Sequence, residues 1–289
     1  MNSLPQINKM HFPSIVGKPQ KDLDKLVENL DGYYREWSKV KLDKETGLPK
    51  KDKNGNIKLR IVRESKGIIK EIQGRISNRI LKDIKLPNNI KGGIKGESNI
   101  TNARFHKGNR YIFTTDLENF FPSIKVGRVY ETLLNFGFNK LTTHYITRFS
   151  TWKGEVPQGI RTSTYIANLV FLETDYKLIE FCEKNNIKYT RFVDDLTFSS
   201  QVDFGDKIAH ILEIIHQSKF RINWRKTKYQ GKQITTGIQL NPSRMIAPKP
   251  ILDKVEFEKL LPQESPKPYT RYKENIDRVN YNKMKSIAS

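Results

Sequence analysis

Two adjacent carboxylates, Asp194 and Asp195, sit inside the stretch 188–199, flanked on both sides by β-branched and aromatic residues. Such flanks favour pleated, half-buried strands, and Asp-Asp between them predicts the tight turn of a β-hairpin. Carboxylates on a turn at the end of a rigid hairpin can aim at one point in space, as a hard cation with oxygen ligands requires. The plainer alternative is a solvated turn, since aspartate enters turns readily. A third carboxylate bears on that choice. Tyr111 to Thr115 reads as a short strand pointing at Asp116, just before the aromatic turn Phe120-Phe121-Pro122. Antiparallel neighbours in one sheet would bring Asp116, Asp194 and Asp195 together. Two divalent ions about 3.5–4 Å apart, held by such carboxylates, can serve an attacking 3′-hydroxyl and a leaving pyrophosphate. Mg2+ suits a few carboxylates plus phosphate oxygens, with Mn2+ as the alternative.

The elements that must position these groups follow from periodicity and punctuation. Leu23, Leu26, Val27, Leu30, Tyr34 and Trp37 predict a helix over Asp22–Val40. Lys41–Arg63 is polar and basic, with a turn at 53–56, and reads as a hairpin that is either a solvated loop or a flap closing on phosphates. Ser65 is placed to cap a helix striped by Ile69, Ile72, Ile76 and Ile80. Gly92–Gly108 reads as a loop carrying Asn102 and His106, and Ser123 as the cap of a helix reaching Asn135. Lys153–Gly159 is a Gly/Pro loop feeding a long helix over Ser163–Lys184, with Tyr165, Leu169, Leu172, Tyr176 and Ile179 as its buried face. Beyond the Asp-Asp hairpin come a helix near Asp206–Ser218, a basic segment Phe220–Lys228, and an extended pair Gln233–Asn241 bent at Gly237. Residues 243–289 are basic and weakly helical.

Composition narrows the function class. With 52 Lys+Arg against 31 Asp+Glu, the net charge is +21. That excess favours a polyanionic partner through phosphate neutralisation and counterion release, and points to nucleic acid ahead of an anionic membrane surface. Cys182 is the sole cysteine, which excludes an internal disulfide framework and a cysteine-built zinc site. No apolar run approaches the roughly 20 residues of a transmembrane helix. The N-terminus lacks a signal-peptide pattern, so a cytoplasmic protein with no membrane partner is expected.

The motifs, taken in order, resemble those of reverse transcriptases, and within them the bacterial retron type. Thr115-Asp116-Leu117-Glu118-Asn119-Phe120-Phe121-Pro122-Ser123-Ile124 is similar to the first catalytic motif. Val156-Pro157-Gln158-Gly159-Ile160-Arg161-Thr162-Ser163 is similar to the motif lining the incoming nucleotide, and Phe192-Val193-Asp194-Asp195 stands in the Tyr-x-Asp-Asp box. Asn223-Trp224-Arg225-Lys226-Thr227 and Thr236-Gly237-Ile238-Gln239-Leu240-Asn241 resemble the two motifs that follow. Asn102-Ala103-Arg104-Phe105-His106 matches the retron Asn-Ala-x-x-His element, and Thr235-Thr236-Gly237 resembles its Val-Thr-Gly element. The likeness covers roughly Lys53 to Asn241.

What the resemblance implies is an α+β right-hand polymerase: fingers over 1–110, a palm of antiparallel sheet plus helices over 111–241, and a short helical thumb over 242–289. It implies catalysis by Asp116, Asp194 and Asp195, with Leu117 beside them among the metal-holding positions. It implies deoxynucleotide contacts from Lys53, Arg60, Phe121, Gln158 and Lys226, with Lys51 or Lys58 as substitutes in the loosely aligned basic hairpin. Phe121 falls where the family places a bulky gate against a ribose 2′-hydroxyl. Asn102, His106, Thr236 and Gly237 would meet RNA. The partners implied are a structured noncoding RNA, its DNA product, deoxynucleotides and an accessory effector protein, in a bacterial antiphage system. Phe192 replaces the usual Tyr, Thr235 replaces Val, and the region after Asn241 is short for a thumb. A non-retron defence reverse transcriptase, protein-primed or untemplated, is the second reading. A non-catalytic RNA-binding scaffold is the third; the three aspartates argue against it, since unused like charges are costly.

Overall fold

The computed structural model describes residues 7–42, 48–52, 54–229, 233–241 and 244–285. The chain opens with helices α1 (Phe12–Val16) and α2 (Gln20–Glu28). The helix expected over Asp22–Val40 stops early. A 3-10 turn at Leu30–Tyr33 leads into strand β1 (Tyr34–Val40), which pairs antiparallel with β2 (Leu59–Ser65) from Tyr34↔Ser65 to Val40↔Leu59. Tyr34 and Trp37 fit the helical spacing, yet cross-strand pairing with a segment distant in sequence overrides that local periodicity. The basic hairpin is therefore longer than expected, and the bridges Leu42↔Pro49 and Lys51↔Ile57 carry it outward. Lys53 lies outside the described residues.

Helix α3 (Gly67–Arg79) buries Ile69, Ile72 and Ile76. Ser65 does not cap it: Lys66 holds the cap position, and the Ser65 hydroxyl bonds Gln73 Oε1 at 2.5 Å. The stretch expected to be a loop contains helix α4 (Asn99–His106). Its start is a capping box, in which Ser98 Oγ accepts from Thr101 N and Thr101 Oγ1 accepts from Ser98 N. The glycines before it obscure a helix too short to show a clear apolar stripe. Strand β3 (Tyr111–Asp116) follows, then α5 (Phe120–Ser123), α6 (Val126–Asn135) and α7 (Lys140–Ser150). Ser123 ends α5 instead of capping α6, whose cap is Lys125.

Helix α8 (Ser163–Lys184) has the predicted range, but its buried face is rotated. Ile166, Phe171, Asp175, Leu178 and Cys182 are buried along with Leu169 and Leu172, while Tyr176 is exposed. Beyond it lie β4 (Lys188–Phe192), β5 (Asp195–Ser200), α9 (Ile208–Gln217), β6 (Lys228–Tyr229), β7 (Gln233–Thr235), β8 (Ile238–Leu240) and β9 (Met245–Ile246). The last elements are α10 (Lys249–Lys259) and α11 (Pro268–Lys285). No described helix is long and apolar enough to cross a membrane.

These elements form two compact units, one from 7–42, 48–87 and 119–173, the other from 88–118 and 174–285. In the first, Phe12, Tyr145 and Phe149 stack at 5.0–6.2 Å. The loop of residues 153–159 is fastened to the hairpin there: Arg63 bonds Glu36 and Glu155, and a Cβ on Gly159 (φ 114°) would meet Arg63 O at 3.3 Å. The second unit holds an antiparallel sheet of order β4-β5-β3-β6 and a smaller sheet β7-β8-β9. Ala103, Ile112, Ile238, Leu240, Met245 and Ile276 share a core beneath them. Glu258 closes the α10–α11 pair by accepting from Tyr269 N and Thr270 N.

Gln73 is the polar hub of the first unit. Its amide donates to Tyr34 Oη at 2.9 Å and Phe149 O at 2.8 Å, fully buried. Gln73→Leu is expected to lower stability by about 2 kcal/mol, because a buried carbonyl and hydroxyl lose their partner. Urea unfolding of the two proteins measures the difference.

Candidate active site

Strand β3 lies in the middle of its sheet and pairs with β5 so that Asp116 stands directly opposite Asp195. Strand β4 pairs with β5 to Phe192↔Asp195, leaving Val193 and Asp194 as a two-residue turn. The three carboxylates thereby meet, their ligand oxygens all within 4.8 Å of one another. Val193 takes φ 62°, a left-handed conformation disfavoured for a β-branched side chain. The turn is held against that cost: Leu117 N donates to Asp194 O at 2.9 Å. Leu117 itself is buried, and its side chain has no ligand atom, so any contribution to a metal is its backbone carbonyl.

Three like charges in so small a space perturb one another. Burial first, then the charges of Asp194 and Asp116, push the Asp195 carboxyl up to about 7. The segment after α9 supplies the counter-charge. Lys226 Nζ donates to Asp116 Oδ2 at 2.6 Å and Asn223 Nδ2 to Asp116 Oδ1 at 3.0 Å. Burial works against the Lys226 charge, but Asp116 and the neighbouring carboxylates outweigh it and raise its pKa. A 210 Å3 cleft opens over this cluster, lined by Asp116, Asp195, Arg225, Lys226, Lys228 and Thr236. An all-oxygen carboxylate set of this kind fits a hard divalent cation.

The remaining predicted residues fall in different places. Thr236 and Gly237 form the turn between β7 and β8, both with positive φ (47° and 82°). Asn102 and His106 are fully buried. The His106 ring bonds Ser199 Oγ and Thr190 Oγ1, each at 2.7 Å, and Asn102 accepts from Thr190 Oγ1 and donates to Thr236 Oγ1. These two side chains thus tie α4 to the β4–β5 hairpin and the 236–237 turn. Arg60 is exposed on β2, opposite Lys39. Phe121 is buried, its ring 5.7 Å from that of Phe120, and Gln158 is half-buried.

Asp175 and Arg191, not among the residues predicted for the site, are both fully buried and joined by an ion pair of 2.6 Å. A signal was present. At helical spacing Asp175 falls in line with Phe171, Leu178 and Cys182, and a lone acid on an apolar stripe requires a buried partner.

A reverse transcriptase (RNA-dependent DNA polymerase) family model matches residues 48–240. Among curated proteins, the chain is 30% identical over 234 residues to the Retron Se72 reverse transcriptase of Salmonella heidelberg, covering 78% of this chain and 58% of that protein. It is 29% identical over 193 residues to the Retron Ec86 reverse transcriptase of Escherichia coli, covering 65% and 60%. The chain thus spans less than two thirds of the length of these relatives. A solved structure of telomerase from Candida albicans with a telomeric RNA fragment aligns at a TM-score of 0.48 and 12% identity, over 80% of this chain and 51% of that one.

Burial, and secondarily the Lys188 charge, push His106 down to about 3 from an ordinary 6.5. Below pH 6.5 the unfolded chain takes up a proton that the folded chain refuses. The stability this contributes is therefore complete above pH 6.5 and lost as the pH falls towards 3. His106→Gln is expected to flatten the acid limb of the stability profile by up to about 1.4 kcal/mol per pH unit across that window. Denaturant midpoints of both proteins, taken at half-unit pH steps, supply the comparison.

Proposed function

The chain belongs to the reverse transcriptase (RNA-dependent DNA polymerase) family, and on that premise we propose that it is a retron-type enzyme. It binds a structured noncoding RNA and copies part of it into DNA, giving an RNA-linked DNA product. The observation that carries this reading is the register Asp116↔Asp195, which gathers three carboxylates around a turn. Two Mg2+ ions held by Asp116, Asp194 and Asp195 would activate the primer 3′-hydroxyl and neutralise the departing pyrophosphate.

The chain's own residues bind and orient. Lys226 meets the triphosphate, a reading supported by its bond to Asp116 in the carboxylate cluster and by Arg225 and Lys228 lining the same cleft. Phosphoryl transfer depends chiefly on such positioning and charge. Arg60, with Lys53, holds the triphosphate from the basic hairpin; Gln158 touches the nucleotide, and Phe121 stacks on its sugar and rejects a 2′-hydroxyl. We assign fingers, palm and thumb to 1–110, 111–241 and 242–289.

Nucleic acid as partner is supported by the net charge of +21. It is supported also by a 520 Å3 cleft lined by Lys219, Phe220, Arg221 and Trp224, the last 66% exposed. An exposed aromatic ring among cations suits base stacking over a phosphate backbone. We assign the activity to bacterial antiphage defence alongside an effector protein, an assignment that rests on the resemblance of the motifs to the retron type.

Asp194→Asn is expected to abolish DNA synthesis while RNA affinity stays nearly unchanged; equal loss of both would assign the aspartates to folding. Sequencing the nucleic acid that copurifies from the native host tests the product. A defined RNA joined to one short DNA is expected, and DNA attached to protein or made without a template would overturn the retron assignment. Phe121→Ala is expected to raise ribonucleotide incorporation relative to deoxynucleotide by about 10- to 200-fold, the range that a lost steric contact in a pocket permits. Single-nucleotide extension with each substrate measures the ratio.

A further inference from the structure

We propose that Arg191 and Asp175 are positioning residues for the carboxylate turn. They form a buried ion pair whose remaining guanidinium arm fixes the Val193–Asp194 peptide and so aims both hairpin carboxylates. Arg191 stands on β4, three residues before Asp194, and points into the unit from the strand end that carries the turn. Its Nε and Nη2 take both oxygens of Asp175, at 2.9 and 2.6 Å. Its Nη1 reaches back to Val193 O at 2.9 Å. Tyr189 Oη donates to Asp175 Oδ1 at 2.7 Å and holds that carboxylate in line. Both members of the pair have zero side-chain exposure.

Three further observations give the pair a directional role. Buried ion pairs are weak sources of net stability, since desolvation offsets their attraction. This one spends an arm on the carbonyl of the single strained residue of the hairpin, Val193 at φ 62°. A strained turn persists only when its surroundings over-determine it. Arg191 supplies the constraint on Val193 O, and Leu117 N supplies another on Asp194 O.

The third observation lies behind the turn. The chain at 89–92 runs along β4, with Arg191 N donating to Asn89 O and Lys91 N donating to Arg191 O. Gly92 then meets the turn so closely that a Cβ would sit 2.3 Å from Val193 N. The Phe192–Val193 peptide is thus backed by a wall, and the Val193–Asp194 peptide that follows it is tied by Arg191. A planar guanidinium is suited to this task, because its fork can bind a carboxylate with two arms and still aim a third donor, which a lysine cannot do.

The test uses the full chain. Its first readout needs no polymerase activity: Mn2+ binding to the nucleic-acid-free protein, followed by electron paramagnetic resonance, with Asp194→Asn as the floor. Two variants carry it. Arg191→Lys keeps the charge and loses the fork; Arg191→Met combined with Asp175→Asn removes the ion pair and keeps the volume and a partner for Tyr189. In both, Mn2+ affinity and kcat for single-nucleotide extension are expected to fall by about 10- to 100-fold, the usual effect of freeing a metal ligand's support. RNA affinity and the KM for deoxynucleotide should stay close to wild type, and the double variant should keep a near wild-type melting temperature.

A double variant with wild-type melting temperature, Mn2+ affinity and kcat would overturn the proposal, as would losses that track melting temperature across all variants. The kcat arm rests on the polymerase reading. If Mn2+ affinity falls as expected but the wild-type protein extends no primer, the positioning role stands and the polymerase reading fails.

Discussion

Mutual repulsion among Asp116, Asp194 and Asp195 is the constraint to which the second unit is built. Carboxylates whose oxygens lie within 4.8 Å of one another resist ionising together, and burial with that repulsion added raises Asp195 to about 7. Left to local forces, two adjacent aspartates on a turn would rotate away into solvent. A central strand pair with fixed register denies them that freedom, because a one-residue slip in an antiparallel pair would turn each side chain to the opposite face. The same repulsion makes the site a sink for cations. Lys226 meets one carboxylate directly, and a divalent ion with oxygen preference would answer the rest.

Holding that register takes buried polar interactions. Beneath the sheet, His106, Thr190, Ser199, Asn102 and Asn109 bond one another, and most are without solvent contact. Hydrogen bonds of this kind add little net stability, but their loss is costly, so a network with every member paired favours one arrangement over its near neighbours. Apolar packing alone would tolerate small shifts of β4 along β5; paired hydroxyls and amides do not. The Asn-Ala-x-x-His element, read in sequence as part of a loop that would meet RNA, thereby becomes part of the scaffold of the carboxylate turn.

The first unit follows the same economy with different means. Arg63 is gripped by Glu36 and Glu155 and lies over Trp152, which stacks on Tyr34 at 4.8 Å. The segment carrying Gln158 is thus tied to β1 and β2 by charge and ring contacts. On the outer part of that hairpin, Lys39 and Arg60 face one another across the strands. Like charges so placed repel, and a polyphosphate between them would relieve the repulsion.

The sequence by itself determined the chemistry and most of the element types. Asp-Asp between two β-patterned runs specifies a hairpin turn, and Asp116 after Tyr111–Thr115 specifies a strand end, because alternation and turn preference are local properties. Helix α8 was legible over its full range, since 22 residues free of Gly and Pro suffice to reveal a helix. Tertiary structure decided what local preference leaves undetermined. Tyr34 and Trp37 fit a helical stripe and became a strand, because the partner that pairs them begins 25 residues from Tyr34, at Leu59. Short α4 carries too few turns for a periodic signal, so its capping box was visible only once formed. The side of α8 that faces inward depends on what packs there, and with it the meaning of Asp175. No local pattern encodes that this aspartate and Arg191 would close on each other: burial in a shared interior creates the need for a partner, and only the folded chain supplies one.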